Sequence, residues 1–176
     1  MNKAIFLDRD GVINQTIIKM GKPRAPYFLE EFVFIPGVRE SVAQLKQTGY
    51  LLIVVTNQPD VSRGWVSMEQ VRVINNYVVQ ELNVDELKAC FHTDKDNCEC
   101  RKPKPGMLLE AAMRWNIRFQ DSFMVGDRYS DVDAGQRAGC KSILVGTGEE
   151  NPLKLVPDFH CTDLREASQW ILKTQR

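Results

Sequence analysis

The stretch AIFLDRDGV, residues 4–12, decides the fold. Four apolar residues run together, stop at Asp8-Arg9-Asp10 and are followed by Gly11. An apolar run this short, without polar alternation, fits a strand buried on both faces, and such strands belong to parallel sheets covered by helices. The rest of the chain repeats the theme. Val38, Val42 and Leu45 recur at helical spacing, with Gly49 where a helix C-cap falls. Residues 51–55, rich in β-branched side chains, predict a central strand that delivers Thr56-Asn57-Gln58. Ser67 and Gln70 form a capping box that opens a helix with Met68, Val71, Ile74, Tyr77 and Val78 on its apolar face. Residues 87–91 predict a strand, and Met107, Leu108, Ala111, Ala112 and Trp115 a helix entered through Pro105-Gly106. A strand over 123–125 ends at Gly126-Asp127, a short helix runs to Gly139, strands follow over 142–145 and near Phe159, and a last helix covers about 164–172. Residues 14–34 and 93–101 carry no clear period.

Alternation of strands and helices with crossovers of this length predicts a three-layer, Rossmann-like α/β fold: a parallel sheet with helices on both faces. The chain has 176 residues, within the usual ~100–200 of one domain, so residues 1–176 are expected to form a single unit. A chain of this length buries roughly 70% of its unfolded surface and needs no disulfide framework. Lys and Arg number 23, and so do Asp and Glu, a balance that disfavours a dedicated nucleic-acid or membrane-surface binder. The longest apolar run, Tyr50 to Val55, is far short of the ~20 residues that span a bilayer. The apolar stretch at residues 4–7 is too short for a signal-peptide core, so a cytoplasmic protein is expected.

In open α/β sheets, ligands bind beyond the carboxyl ends of the strands. The predicted strands deliver Asp8 and Asp10, then Thr56, Asn57 and Gln58, then Asp127, with Asp131 and Asp133 just beyond. Arg101-Lys102-Pro103-Lys104-Pro105-Gly106 enters a helix between them. Carboxylates, a hydroxyl, an amide and a lysine would thus converge on one rim, a set suited to Mg²⁺ and a phosphate.

The segments DRDG, TNQ, RKPKPG and VGD, in that order, resemble the four motifs of the haloacid-dehalogenase-like phosphatases. The resemblance spans about residues 4–146. It implies a phosphomonoesterase with Asp8 as nucleophile, forming an aspartyl-phosphate, and Asp10 as the acid and then the base. It implies Mg²⁺ held by Asp8, the Asp10 main-chain carbonyl and Asp127, and phosphoryl oxygens bound by Thr56 and Lys102. Asp131 is expected to orient its neighbours rather than touch the metal. Arg9, Asn57, Gln58, Arg101 and Arg128 are expected to contact the substrate.

Five cysteines are present, and three crowd into Cys90-Phe91-His92…Cys98-Glu99-Cys100. In a reducing compartment such a cluster points to metal or catalysis. Three thiolates and one imidazole match a closed tetrahedral zinc site, which implies a structural Zn²⁺ in place of a core for a loop with little apolar content. Arg101 and Lys102 follow the last ligand directly, so fixing Cys100 also fixes the lysine. Loop thiols without metal, or a redox pair at Cys98 and Cys100, are the competing readings. Cys140, Cys161, His160, Trp65, Trp115 and Trp170 read as packing or structural residues.

A Cys-x-His…Cys-x-Cys loop leading into RKPKPG narrows the resemblance to the histidinol-phosphate phosphatase subgroup, which includes phosphatases of bisphosphorylated heptoses that serve cell-surface polysaccharide assembly. The resemblance therefore implies a small phosphorylated sugar, a bisphosphorylated heptose, as substrate, with histidinol phosphate or another small phosphorylated metabolite as the alternative and a zinc-knuckle nucleic-acid-binding module as the alternative of a different class. Twenty-five residues separate Asp10 from Pro36 and forty-five separate Thr56 from Lys102, the second interval already filled by a helix, a strand and the cysteine loop. No separate cap domain fits. The basic segment 17–28, with Lys19, Lys22 and Arg24, is expected to face the substrate. No apolar stripe demands a partner, and a monomer is expected.

Overall fold

The computed structural model describes residues 1–147 and 151–174. β1 (Ala4–Leu7) leads to a small antiparallel hairpin, β2 (Ile17–Lys19) and β3 (Lys22–Arg24). Then follow α1 (Val38–Lys46), β4 (Leu51–Asn57), α2 (Met68–Leu82), β5 (Glu86–Cys90), α3 (Gly106–Trp115), β6 (Phe123–Gly126), α4 (Tyr129–Ala138), β7 (Lys141–Val145), β8 (Phe159–Cys161) and α5 (Leu164–Lys173). Six strands form one sheet in the order β5-β4-β1-β6-β7-β8, parallel at every pairing.

The sequence dictates the layering. In β1, Ile5 and Leu7 join one apolar cluster and Ala4 and Phe6 the other, and in β4 Leu52 and Val54 oppose Ile53 and Val55 in the same way. Side chains alternate across a strand, so an unbroken apolar run must be covered on both faces. One cover is built from α1, α2 and α5 through Val42, Leu45, Ile74, Val78, Ala167 and Ile171. The other is built from α3, through Met107, Leu108 and Ala111, and from α4, whose Gly135 lies so near Met124 that a Cβ there would sit 2.6 Å from the Met124 Cβ. No helix among the described residues is long and apolar enough to cross a membrane.

The central register positions the chemistry. Leu7 pairs with Val54 on one side and with Val125 on the other, so Asp8, Val55 and Gly126 form the next row, at the carboxyl edge of the sheet. The Asp8 N–H still donates to the Val125 carbonyl at 2.9 Å, which extends the ladder by one bond and holds Asp8 at the rim.

The segment without period after β1 contains the β2–β3 hairpin. Its turn, Met20-Gly21, has positive φ at both residues (52° and 75°), as a two-residue hairpin turn of the right twist requires. Glu31 anchors the hairpin's exit by accepting from Arg24 at 3.0 and 2.7 Å and from the Tyr27 N–H at 2.8 Å. The second such segment holds a single 3-10 turn, Asp94–Asp96, between β5 and α3. These stretches fill both intervals in which an inserted domain would lie, and among the described residues neither holds one. α1 ends at Lys46, so Gly49 lies in the turn beyond the helix rather than at its cap.

Candidate active site

Three strand ends and one helix entry meet at the rim. Lys102 is its centre: only 3% exposed, its Nζ donates to Asp8 Oδ1 at 2.8 Å and to the Val55 carbonyl at 2.7 Å, and it pairs with Asp131 Oδ1 at 2.6 Å. Burial works against its ammonium, but Asp131 and Asp8 outweigh that and hold its pKa above the usual lysine value. Its main chain is fixed by Asn57, whose side chain donates to the Lys102 carbonyl at 3.0 Å and accepts from the Lys102 N–H at 3.1 Å.

Asp8, Asp127 and Asp131 each bring a carboxylate oxygen within 4.8 Å of the others. Burial pushes the Asp8 carboxyl up to about 6, with Lys102 opposing. Burial, and then the nearby Asp8 charge, pushes Asp127 up to about 8. Asp127 Oδ1 is buried without a hydrogen-bond partner among the described residues. Asp131 is engaged, with Oδ1 on Lys102 and Oδ2 accepting from the Arg128 N–H at 3.1 Å. Gly11 is required here: its φ is +87°, and a Cβ on it would sit 2.2 Å from Asp127 Oδ2. Close carboxylates raised by burial, one oxygen unpartnered, with a glycine clearing their approach, fit a hard divalent cation that takes oxygen ligands.

Beside this cluster, Asp10 accepts from four donor groups: Asn14 Nδ2 at 3.0 Å, Gln58 Nε2 at 2.7 Å, Arg9 Nη2 at 3.1 Å to each oxygen, and Arg9 Nε at 3.4 Å. Gln58 also donates to the buried Thr56 Oγ1 at 2.9 Å, which ties the hydroxyl to the second carboxylate. The structure brings Asp8, Asp10, Thr56, Lys102 and Asp127 to one rim.

Three of the residues expected to touch substrate are engaged within the protein. Arg9 is wholly buried, its guanidinium held by Asp10 and Asn75. The Asn57 amide is spent on the Lys102 backbone, and Gln58 on Asp10 and Thr56. Arg101 is half-buried and rests on Asp94 at 2.7 Å. Arg128 lies near enough to Asp127 for its charge to lower that carboxyl's pKa. Sequence reasoning missed Asn14, Asn75 and the pair Tyr27–Asp60. The Tyr27 hydroxyl donates to Asp60 Oδ2 at 2.8 Å, linking the hairpin's exit to the loop after β4, and Arg63 donates to the other Asp60 oxygen at 2.8 Å. The one available signal for Asn75 is an amide on the apolar face of α2.

The cysteine cluster closes as its spacing predicts. Cys90 Sγ lies 3.2 Å from Cys100 Sγ, 3.7 Å from Cys98 Sγ and 3.6 Å from His92 Nδ1. Cys100 Sγ lies 3.4 Å from Cys98 Sγ and 3.3 Å from His92 Nδ1. Four ligands at tetrahedral angles, with Zn–S near 2.3 Å, stand about 3.8 Å apart, so the set fits zinc with slight expansion. All five cysteines are unbridged, so the competing redox pair has no bond in the structure. Burial raises the Cys90 and Cys100 thiols. The loop is tied to the rim twice: the Gly106 N–H donates to the Glu99 carbonyl at 3.1 Å, where a Cβ would collide, and Arg101 Nη1 reaches the His92 carbonyl at 3.4 Å.

A HAD-hydrolase-like family model matches residues 99–167. A Helicobacter pylori protein named D-glycero-beta-D-manno-heptose-1,7-bisphosphate 7-phosphatase is 38% identical, over 97% of this chain and 97% of its own. A Pasteurella multocida protein of the same name is 41% identical over 85% and 84%. The crystal structure of a D,D-heptose 1,7-bisphosphate phosphatase from B. bronchiseptica, complexed with magnesium and phosphate, superposes with a TM-score of 0.84 at 30% identity, covering 98% of this chain and 99% of that one.

Proposed function

Since this chain belongs to the haloacid-dehalogenase-like hydrolases and is a phosphoric monoester hydrolase, we propose that it removes the 7-phosphate of D-glycero-β-D-manno-heptose 1,7-bisphosphate through an aspartyl-phosphate. The observation that carries this reading is the Lys102 ammonium shared by Asp8 and Asp131, beside Asp127 and beside a second carboxylate, Asp10, held apart by its own donors. Two acids with different surroundings at one strand end can divide nucleophile from acid.

In the first step an Asp8 oxygen bonds to phosphorus while the bond to the sugar oxygen breaks. The electron pair stays on that oxygen, which takes the Asp10 proton and leaves as the alcohol. In the second, water attacks phosphorus, gives a proton to Asp10, and the Asp8–phosphorus bond breaks to release phosphate. Lys102 and Thr56 bind phosphoryl oxygens, and Lys102 keeps Asp8 oriented between turnovers. Mg²⁺, held by Asp8, Asp127 and the Asp10 carbonyl, would draw charge from the phosphoryl oxygens. Zn²⁺ at Cys90, His92, Cys98 and Cys100 would staple the loop that carries Arg101 and Lys102. Arg101 and Arg128 would take the remaining anionic and hydroxyl groups of the substrate, guanidinium forks suiting phosphate.

The test is Mg²⁺-dependent phosphate release from the β and α heptose bisphosphates and from histidinol phosphate, with ³¹P NMR to identify the phosphate that leaves. The β anomer should give the highest kcat/KM, with loss of the 7-phosphate. Preference for histidinol phosphate, or release of the anomeric phosphate, would overturn the substrate assignment.

A further inference from the structure

Arg9 is the largest side chain among the described residues with no exposed surface. A guanidinium is always charged and carries five N–H donors, so burying it is tolerable only where acceptors and a counter-charge wait for it. Asp10 supplies the charge. The acceptor for Nη1 is Asn75 Oδ1, at 2.7 Å and 66 residues further along the chain. Asn75 is 7% exposed and sits on α2 among Val71, Ile74 and Val78, on the face that packs against the sheet. The capping box of Ser67 and Gln70 fixes where that helix starts and therefore which way Asn75 points.

The order of support runs inward: helix α2 holds Asn75, Asn75 holds one nitrogen of Arg9, and Arg9 bridges both oxygens of Asp10 with Nη2 at 3.1 Å. We propose that Asn75 is a positioning residue for the general acid, setting the Asp10 carboxyl against the leaving oxygen through Arg9. Nothing else on α2 contacts Arg9 by a hydrogen bond among the described residues, and Asn14 and Gln58 add one donor each to the two Asp10 oxygens that Arg9 bridges. Without Asn75, the Arg9 guanidinium loses the acceptor that sets its tilt, and the Nη2 and Nε bonds that aim the Asp10 carboxyl shift with it, while Asn14 and Gln58 still hold Asp10 in the site. The inference rests on the reading of Asp10 as proton donor.

A leaving-group comparison separates positioning from mere folding. A sugar alkoxide must be protonated as it departs, whereas p-nitrophenolate leaves without help, and kcat/KM reports only the steps up to phosphoenzyme formation. Asn75→Leu and the milder Asn75→Ser are assayed on heptose bisphosphate and on p-nitrophenyl phosphate, with Asp10→Asn in parallel. Displacing a catalytic group by about an ångström costs up to ~100-fold, so the Asn75 variants should lose about 10- to 100-fold in kcat/KM on the sugar ester and less than about threefold on the aryl ester. Equal loss on both esters, or none on either, while Asp10→Asn remains selective for the sugar ester, would overturn the role of Asn75 alone. Equal loss on both esters by Asp10→Asn itself would instead remove the acid role on which the inference stands.

Discussion

Replacing Lys102 by methionine keeps the aliphatic stem and deletes one charge and its donors from a site where almost nothing is solvated. Lys102 is 3% exposed, Asp8 7% and Asp131 1%, and the lysine is bonded to both carboxylates. Removing one partner from a buried charge pair costs about 3–5 kcal/mol, because the charge left behind is uncompensated. In a chain of this size each kcal/mol moves the melting midpoint by ~2–4 °C, so a loss of roughly 6–20 °C is expected for the metal-free protein near pH 8. The loss should depend on pH with a definite sign. Burial holds Asp8 at about 6 and Asp127 at about 8, both above the ordinary 3.8. Between 3.8 and those values the folded state binds more protons than the unfolded one, so stability falls as pH rises across roughly 4–8. Lys102 itself, its pKa raised, stays charged through this window and pulls both carboxyls down. Without it they rise further, so the deficit of Lys102→Met should shrink toward pH 5, where Asp8 takes up a proton. Added Mg²⁺ should narrow the deficit at pH 8. The assay is urea unfolding of both proteins at pH 5 and pH 8, with and without Mg²⁺, after chelation. A deficit below about 1 kcal/mol, or one that does not change with pH, would refute the electrostatic account of the site.

Gly11→Ala should abolish Mg²⁺-dependent activity and weaken Mg²⁺ binding measured by calorimetry, since the new methyl meets Asp127 Oδ2 at 2.2 Å on a backbone with φ of +87°; unchanged affinity would contradict the placement of Asp127. Cys98→Ser should lower the zinc content by metal analysis and lower kcat on the sugar bisphosphate, because the loop that holds Cys100 runs directly into Lys102; full zinc content with full activity would refute the coupling. Tyr27→Phe removes the bond to Asp60 at a cost of about 1 kcal/mol and should raise KM with kcat nearly unchanged, since that bond braces the hairpin's exit against the loop after β4 and not the reacting groups. A fall in kcat alone would place Tyr27 in the chemistry.

The layering was legible because buried parallel strands announce themselves as unbroken apolar runs, and AIFL and LLIVV are both of that kind. The capping box at Ser67 and Gln70 located the start of α2. The acids and the lysine were legible because short sequence motifs place the acids at or just beyond strand ends and the lysine at a helix entry, and the Cys/His cluster because four potential ligands at this spacing can close on one ion. The hairpin was not, since its turn uses Met20 where Asn or Asp usually supplies the positive φ, and its strands are three residues each. The substrate contacts expected of Arg9, Asn57 and Gln58 came from their places within the DRDG and TNQ segments. Side-chain direction decides such contacts, and direction follows from packing: Arg9 turns inward because Asn75 and Asp10 complete its hydrogen bonds. Asn75 carries no local signal beyond a polar residue on an apolar face, because its partner is fixed by the docking of α2 on the sheet.

In the proposed mechanism Asp8 is phosphorylated once in each turnover. Acid quenching of the enzyme within the first turnover of the heptose bisphosphate, followed by peptide mass spectrometry, tests it directly. One phosphoryl group on the peptide containing Asp8, absent from Asp8→Asn, is the predicted result, with the variant inactive but still folded. An adduct on a different residue, or undiminished phosphate release by Asp8→Asn, would contradict the account.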